Sequence, residues 1–228
     1  MRSSRRSFVT ATKVTPRTSR SGCSLPACRA AKTSASPPAP DVPASATESL
    51  APADAFLARL AEHCGQAFAG RIVTDVPPAE GDDPFAGKTL VMHVRECSAG
   101  ELKVPFHVGD DHSRTWVITR TDTGLRLKHD HRHADGSPDA VTMYGGDTAG
   151  AGTAVRQSFP VDAESVAMFG REGLKASVSN TWAMEIEPGQ RFLYELSRPG
   201  GRLFQVEFDL SRPVDLPPPP WGSEGGAP

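Results

Sequence analysis

From Leu90 onward, apolar and polar residues alternate with a period of two. Leu90, Met92 and Val94 share one face, and Val91, His93 and Arg95 the other. Leu102, Val104, Phe106 and Val108 form a second such face, and Trp116 and Ile118 a third. The segment Leu125–Arg132 follows, then Trp182, Met184 and Ile186, then Phe192, Tyr194 and Leu196, then Phe204, Val206, Phe208 and Leu210. This period marks strands with one buried face. Stretches such as Thr121–Gly124, Pro188-Gly189 and Pro199-Gly200-Gly201 separate the runs, as antiparallel hairpins require. No helical crossover stands between strands, which argues against a parallel sheet. A meander of about eight to ten strands has to close on itself or split in two to protect its edges. The expected fold is mainly β, an antiparallel up-and-down barrel. A jelly-roll or cupin-like sandwich is the alternative.

Two segments carry helical patterns instead. In Pro52–Gly65, Phe56, Leu57, Leu60 and Cys64 lie on one stripe, with Pro52 and Asp54 suited to the first turn and Gly65 to the C-terminal end. A shorter helix is expected over Ala163–Glu172, with Val166, Met168 and Phe169 apolar. The reading therefore divides the chain into a basic leader or tail (1–48), one barrel domain with an N-terminal helix (49–212) and an extended Pro/Gly-rich tail (213–228). Within that tail, Pro217–Trp221 is expected to lie over the barrel with Trp221 as a plug.

The order of one helix, Phe68-Ala-Gly-Arg-Ile-Val73 entering the first strand, and then successive hairpins resembles the lipocalin-like (calycin) barrels, in a form typical of bacterial exported proteins. The resemblance spans about residues 52–212. Where those barrels carry Gly-x-Trp on the first strand, this chain has Gly70-Arg71-Ile72. The resemblance implies a central cavity that takes a small hydrophobic or planar ligand.

Charge narrows the partners. Residues 1–48 hold eight of the 25 Lys and Arg but only two of the 27 Asp and Glu, so the remainder carries a net charge of −8. An acidic folded part excludes nucleic acid as its natural partner, because phosphate binding needs clustered cations. No apolar run is long enough for a transmembrane helix. Ser4-Arg5-Arg6-Ser7-Phe8-Val9 resembles a twin-arginine export signature, yet Lys13, Pro16, Arg17 and Arg20 occupy the place of its apolar region. The expected location is periplasmic or secreted, with cytoplasmic as the alternative. Cys64 and Cys97 permit one disulfide closing a loop of about 30 residues and worth roughly 3 kcal/mol. Two free thiols are the other reading.

The richest chemical signal is Leu127-Lys-His-Asp-His-Arg-His133. If Leu125 and Leu127 face inward, His129, His131 and His133 continue that face. Buried imidazoles need partners. They therefore line a wet cavity, sit at its rim, or hold a metal. Alternate strand residues lie about 6.5–7 Å apart, so two imidazoles can share one ion, whereas three spanning roughly 13 Å cannot. His129-Asp130-His131 partly resembles the His-x-His of the cupin family, with His93, His107, Asp110 or Glu185 to complete a shell. A ligand wall of His129, His131, His133, Trp116, Tyr144, Arg156 and Trp182 is the favoured reading.

Two further stretches bear on function. His107, Asp110, His112 and Arg114 flank a turn and are expected at one barrel mouth, without a nucleophile in a catalytic setting. Tyr144–Gly152 is glycine-rich but lacks the Lys-Ser/Thr of a phosphate loop, and reads as a flexible hairpin or lid. The expectation is a monomeric, non-catalytic small-molecule-binding barrel needing no cofactor. A metal-dependent cupin-like enzyme using His129 and His131 with a transition metal is one alternative. A structural envelope protein without ligand is the other.

Overall fold

In the computed structural model, residues 51–78 and 83–223 are described. The expected leader over 1–48, with Cys23, Cys28 and the twin-arginine-like start, lies outside them. Helix α1 (Pro52–Ala61) is followed by β1 (Ala67–Val76), β2 (Leu90–His93), β3 (Glu96–Cys97), β4 (Glu101–Val108), β5 (Asp111–Arg120), β6 (Leu125–His131), β7 (Tyr144–Asp147) and β8 (Arg156–Pro160). Helix α2 (Ala163–Arg171) and a 3-10 turn (Lys175–Ser179) come next, then β9 (Thr181–Glu187), β10 (Arg191–Arg198) and β11 (Arg202–Val214).

Among the described residues, all eleven strands belong to one antiparallel sheet, ordered β7-β6-β5-β4-β2-β1-β11-β10-β9-β8, with β3 added to β4. Paired strands are successive in the chain except where β2 lies beside β4 and where β1 meets β11. This is a nearly closed barrel of up-and-down type, not a two-sheet sandwich. The two outermost strands, β7 and β8, are joined through the start of α2. The Asp162 amide donates to the Gly145 carbonyl at 2.9 Å, and the Gly145 amide donates to Ser165 Oγ at 2.8 Å. The seam is tight because it is built on glycine: a Cβ on Gly146 would lie 1.8 Å from the Pro160 carbonyl oxygen. Tyr144–Asp147 is thus a closing strand, in place of the expected lid. Its neighbours 148–153 do not line the pocket described below.

The inward faces follow the period-two pattern. Trp116, Phe192 and Phe208 meet in the interior, with ring centroids 6.1–6.2 Å apart. Burying each such ring stabilises the fold by roughly 2–3 kcal/mol. One end of the barrel is filled by α1, whose Phe56, Leu57 and Leu60 are buried in the same core. Asp54 in its first turn pairs with Arg120 at the end of β5, and Cys64, just past the helix, is disulfide-bonded to Cys97 on β3. That end is closed, so access to the interior is from the other. Among the described residues no helix is long and apolar enough to cross a membrane.

The C-terminal tail does not plug the barrel. Trp221 packs edge-on against His112, and its amide donates to the His112 carbonyl at 3.0 Å. With Pro220 it borders a groove formed by the outward residues Lys103, Pro105 and Val117. Its ring therefore covers the outer wall.

Candidate functional site

Opposite α1, the barrel opens into a pocket of about 320 Å³. Its walls come from β5 (Arg114, Trp116), β6 (His129, His131), β7 (Tyr144), β9 (Trp182) and β10 (Tyr194, Leu196, Arg198), with Phe169 of α2 closing over one side. The strand period explains the set. On β6, Leu125, Leu127 and His129 are buried in alternation while Arg126 and Lys128 face outward. Lys128, with only 12% of its side chain exposed, pairs with Asp162 at 2.8 Å.

The three histidines of the inward run have three different fates. His129 is buried in the wall, and both ring nitrogens are engaged. Nδ1 lies 3.1 Å from the Tyr144 carbonyl, so it carries the proton and donates. Nε2 is then an acceptor, and the Tyr194 hydroxyl, 2.9 Å away, donates to it. His131 sits half-buried at the rim with Nε2 3.1 Å from the Tyr144 hydroxyl. His133 is exposed, two residues beyond the end of β6, and does not line the pocket. Beyond His131 the chain turns, with the His133 amide bonded to the Ser137 carbonyl, so the alternation that would have aimed His133 inward has ended.

Burial sets the protonation states. Desolvation lowers His129 to about 3, and desolvation with the nearby Arg114 charge lowers His131 to about 4, so both rings are neutral at pH 7. Desolvation raises Tyr144 to about 12, and desolvation, with the neighbouring Tyr144, holds Tyr194 well above its ordinary value. The hydroxyls therefore stay protonated. Stacking completes the wall: His129 lies on Tyr144 at 4.6 Å between centroids, and Trp116 on Tyr194 at 4.6 Å.

The metal expectation meets a poor donor set. His129 has no free lone pair, and the group next to the His131 Nε2 is a phenol. Among the described residues no group of three His, Cys, Asp or Glu side chains is placed to hold an ion. Glu185, considered for such a shell, instead pairs with Arg156 and Arg191. Arg156 is likewise outside the pocket. It is held by Glu185 and, at 2.9 Å, by Glu195, because its position on β8 alternates with the buried Gln157 and Phe159.

The expected mouth cluster is also divided. Arg114 lines the pocket and pairs with Asp111 at 2.6 Å. His107 and His112 lie on the outer face, Nδ1 to Nδ1 at 2.7 Å, away from the inward Phe106 and Val108. Burial first, then the His112 and His93 charges, lower His107 to about 4.

Sequence reasoning missed Tyr194, Arg198, Arg202, Asn180, Asp139 and Phe169 as pocket residues. Tyr194 was visible only as one more apolar position in the Phe192–Leu196 alternation. Arg198 and Arg202 flank the Pro199–Gly201 turn, and nothing local reveals that this turn stands beside the pocket. Comparison with known protein families, curated proteins and solved structures finds no match.

Proposed function

We propose that this chain is a non-catalytic binding protein for a small hydrophobic or planar ligand, held in the aromatic pocket at the open end of the barrel. The observation that carries the reading is the pocket itself. It has about 320 Å³ of space, flat aromatic walls, and polar groups that mostly satisfy one another. A cavity near the lower end of the usual range suits a compact ring system or a short acyl chain. With neutral imidazoles, protonated phenols and no activated nucleophile, the site is equipped to bind and orient. The Cys64–Cys97 disulfide supports an oxidising location, periplasmic or secreted.

Trp116 and Trp182 line the pocket and report its occupancy. Solvent extraction of gently purified protein should release a small molecule, identified by mass spectrometry. Adding it back to the stripped protein should quench tryptophan emission with one-to-one saturation. If no compound is released, and a panel of planar and short acyl compounds leaves the emission unchanged, the reading is wrong.

A further inference from the structure

Resting on the binding reading above, we propose that the ligand is a carboxylate-bearing amphiphile, its acid group held by Arg198 at the mouth and its flat apolar body inside against Trp116 and Trp182. Three arginines reach the pocket, and two of them are already neutralised. Arg114 pairs with Asp111 at 2.6 Å, and Arg202 pairs with Asp75 while donating to the Pro77 carbonyl at 2.7 Å. Arg198 has no carboxylate partner among the described residues. Its Nε donates to the neutral amide oxygen of Asn180 at 2.5 Å, which leaves most of the guanidinium fork unfilled.

Its placement is electrostatically unfavourable. Arg198 and Arg202 stand directly opposite each other across the β10–β11 hairpin. Like charges in that relation destabilise a sheet. Burial and the Arg202 charge both act against the protonated form of Arg198, with no carboxylate contributing the other way. The pocket's one carboxylate, Asp139, lies between β6 and β7, where it accepts from the Val141 amide at 2.8 Å. An incoming anion would relieve the arginine pair. A planar carboxylate matches the guanidinium fork. The histidines cannot substitute, because both remain neutral at pH 7.

The test uses a matched pair of probes, naphthalene-2-carboxylate and its uncharged isostere naphthalene-2-carboxamide, titrated by calorimetry into the full chain at pH 7.5. The wild type should bind the acid at least ten-fold more tightly than the amide. Arg198→Gln should remove that preference, weakening the acid about ten-fold and leaving the amide unchanged, while Arg198→Lys should keep part of it. The melting temperature of Arg198→Gln should be unchanged or higher, since a like-charge contact is lost, which separates lost recognition from lost folding. Equal binding of acid and amide in the wild type, or an equal loss of both in Arg198→Gln, overturns the role of Arg198 and leaves the binding pocket standing. Failure of both probes to bind the wild type overturns the pocket reading and this inference together.

Discussion

The Nε2 atom of His129 lies 2.9 Å from the phenolic oxygen of Tyr194, 65 residues further along the chain. The pair crosses the barrel interior from β6 to β10, and because the Tyr144 carbonyl holds the ring proton on Nδ1, the hydroxyl is the donor to Nε2. Tyr194→Phe removes the donor and leaves a buried lone pair unanswered. The expected cost is about 1–3 kcal/mol, read as a lower urea midpoint with an unchanged slope. An unchanged midpoint would mean that the bond contributes nothing net.

Acid should destabilise the fold through histidines before it does so through carboxylates. His129 sits at about 3 and His131 and His107 at about 4 in the folded chain, each below the unfolded value of about 6.5. A depressed histidine binds its proton in the unfolded state first. Its contribution is therefore complete above about pH 6.5 and is lost as pH falls toward the folded value. Near pH 5, unfolding should take up about three protons from these groups. Denaturation at a series of pH values measures that slope, and a flat profile between pH 5 and 7 would contradict the burial of these rings.

Reducing the Cys64–Cys97 bond opens a loop with a sequence separation of 33. Loop-closure entropy makes this worth about 3–4 kcal/mol, and the loop ties α1 to β3. The Cys64→Ser, Cys97→Ser double variant should melt well below the wild type. Reductant should lower the wild-type melting temperature toward that of the variant and leave the variant itself unmoved.

Gly146→Ala tests the seam. The added Cβ would lie 1.8 Å from the Pro160 carbonyl oxygen, which is backbone and cannot rotate away. β7 would have to part from the end of β8. The cost should be roughly 1–3 kcal/mol, as for other overpacked sites. Hydrogen exchange should show the loss first at the Gly145 and Asp162 amides, which bridge the seam. Unaltered exchange there would show that the barrel does not depend on this closure.

Asp162 has two roles. It caps α2 by accepting from the Ser165 amide at 2.8 Å, and it pairs with the nearly buried Lys128. Asp162→Ala should cost about 1 kcal/mol for the cap alone. It should also weaken any pocket ligand, because α2 carries Phe169 to the pocket wall. Asp162→Asn keeps the capping oxygen and should recover most of the stability. Equal losses in both variants would assign the effect to the Lys128 pair instead.

The strand faces, the two helices and the antiparallel class were determined by the chain locally. Side chains alternate across a strand and recur along a helical stripe, so Leu125, Leu127 and His129 had to share a face. The same local rule put Trp116, Trp182 and His129 on inward faces, with His131 following in the same register. It failed where a face stops being strand, as at His133, and where facing depends on strand register, as at Arg156. The short strands β3, β7 and β8 were also beyond it, since two to five residues carry too little alternation to read. What only the tertiary structure decided is which ends of which strands meet. The barrel brings Arg198 and Arg202, at the β10–β11 turn, to the pocket that His131 also lines, and sets Tyr194 against His129. It also leaves Arg198 without a carboxylate partner among the described residues, while Arg114 pairs with Asp111 and Arg202 with Asp75. Those relations depend on closing a sheet over more than a hundred residues, and no periodicity within a single strand encodes them.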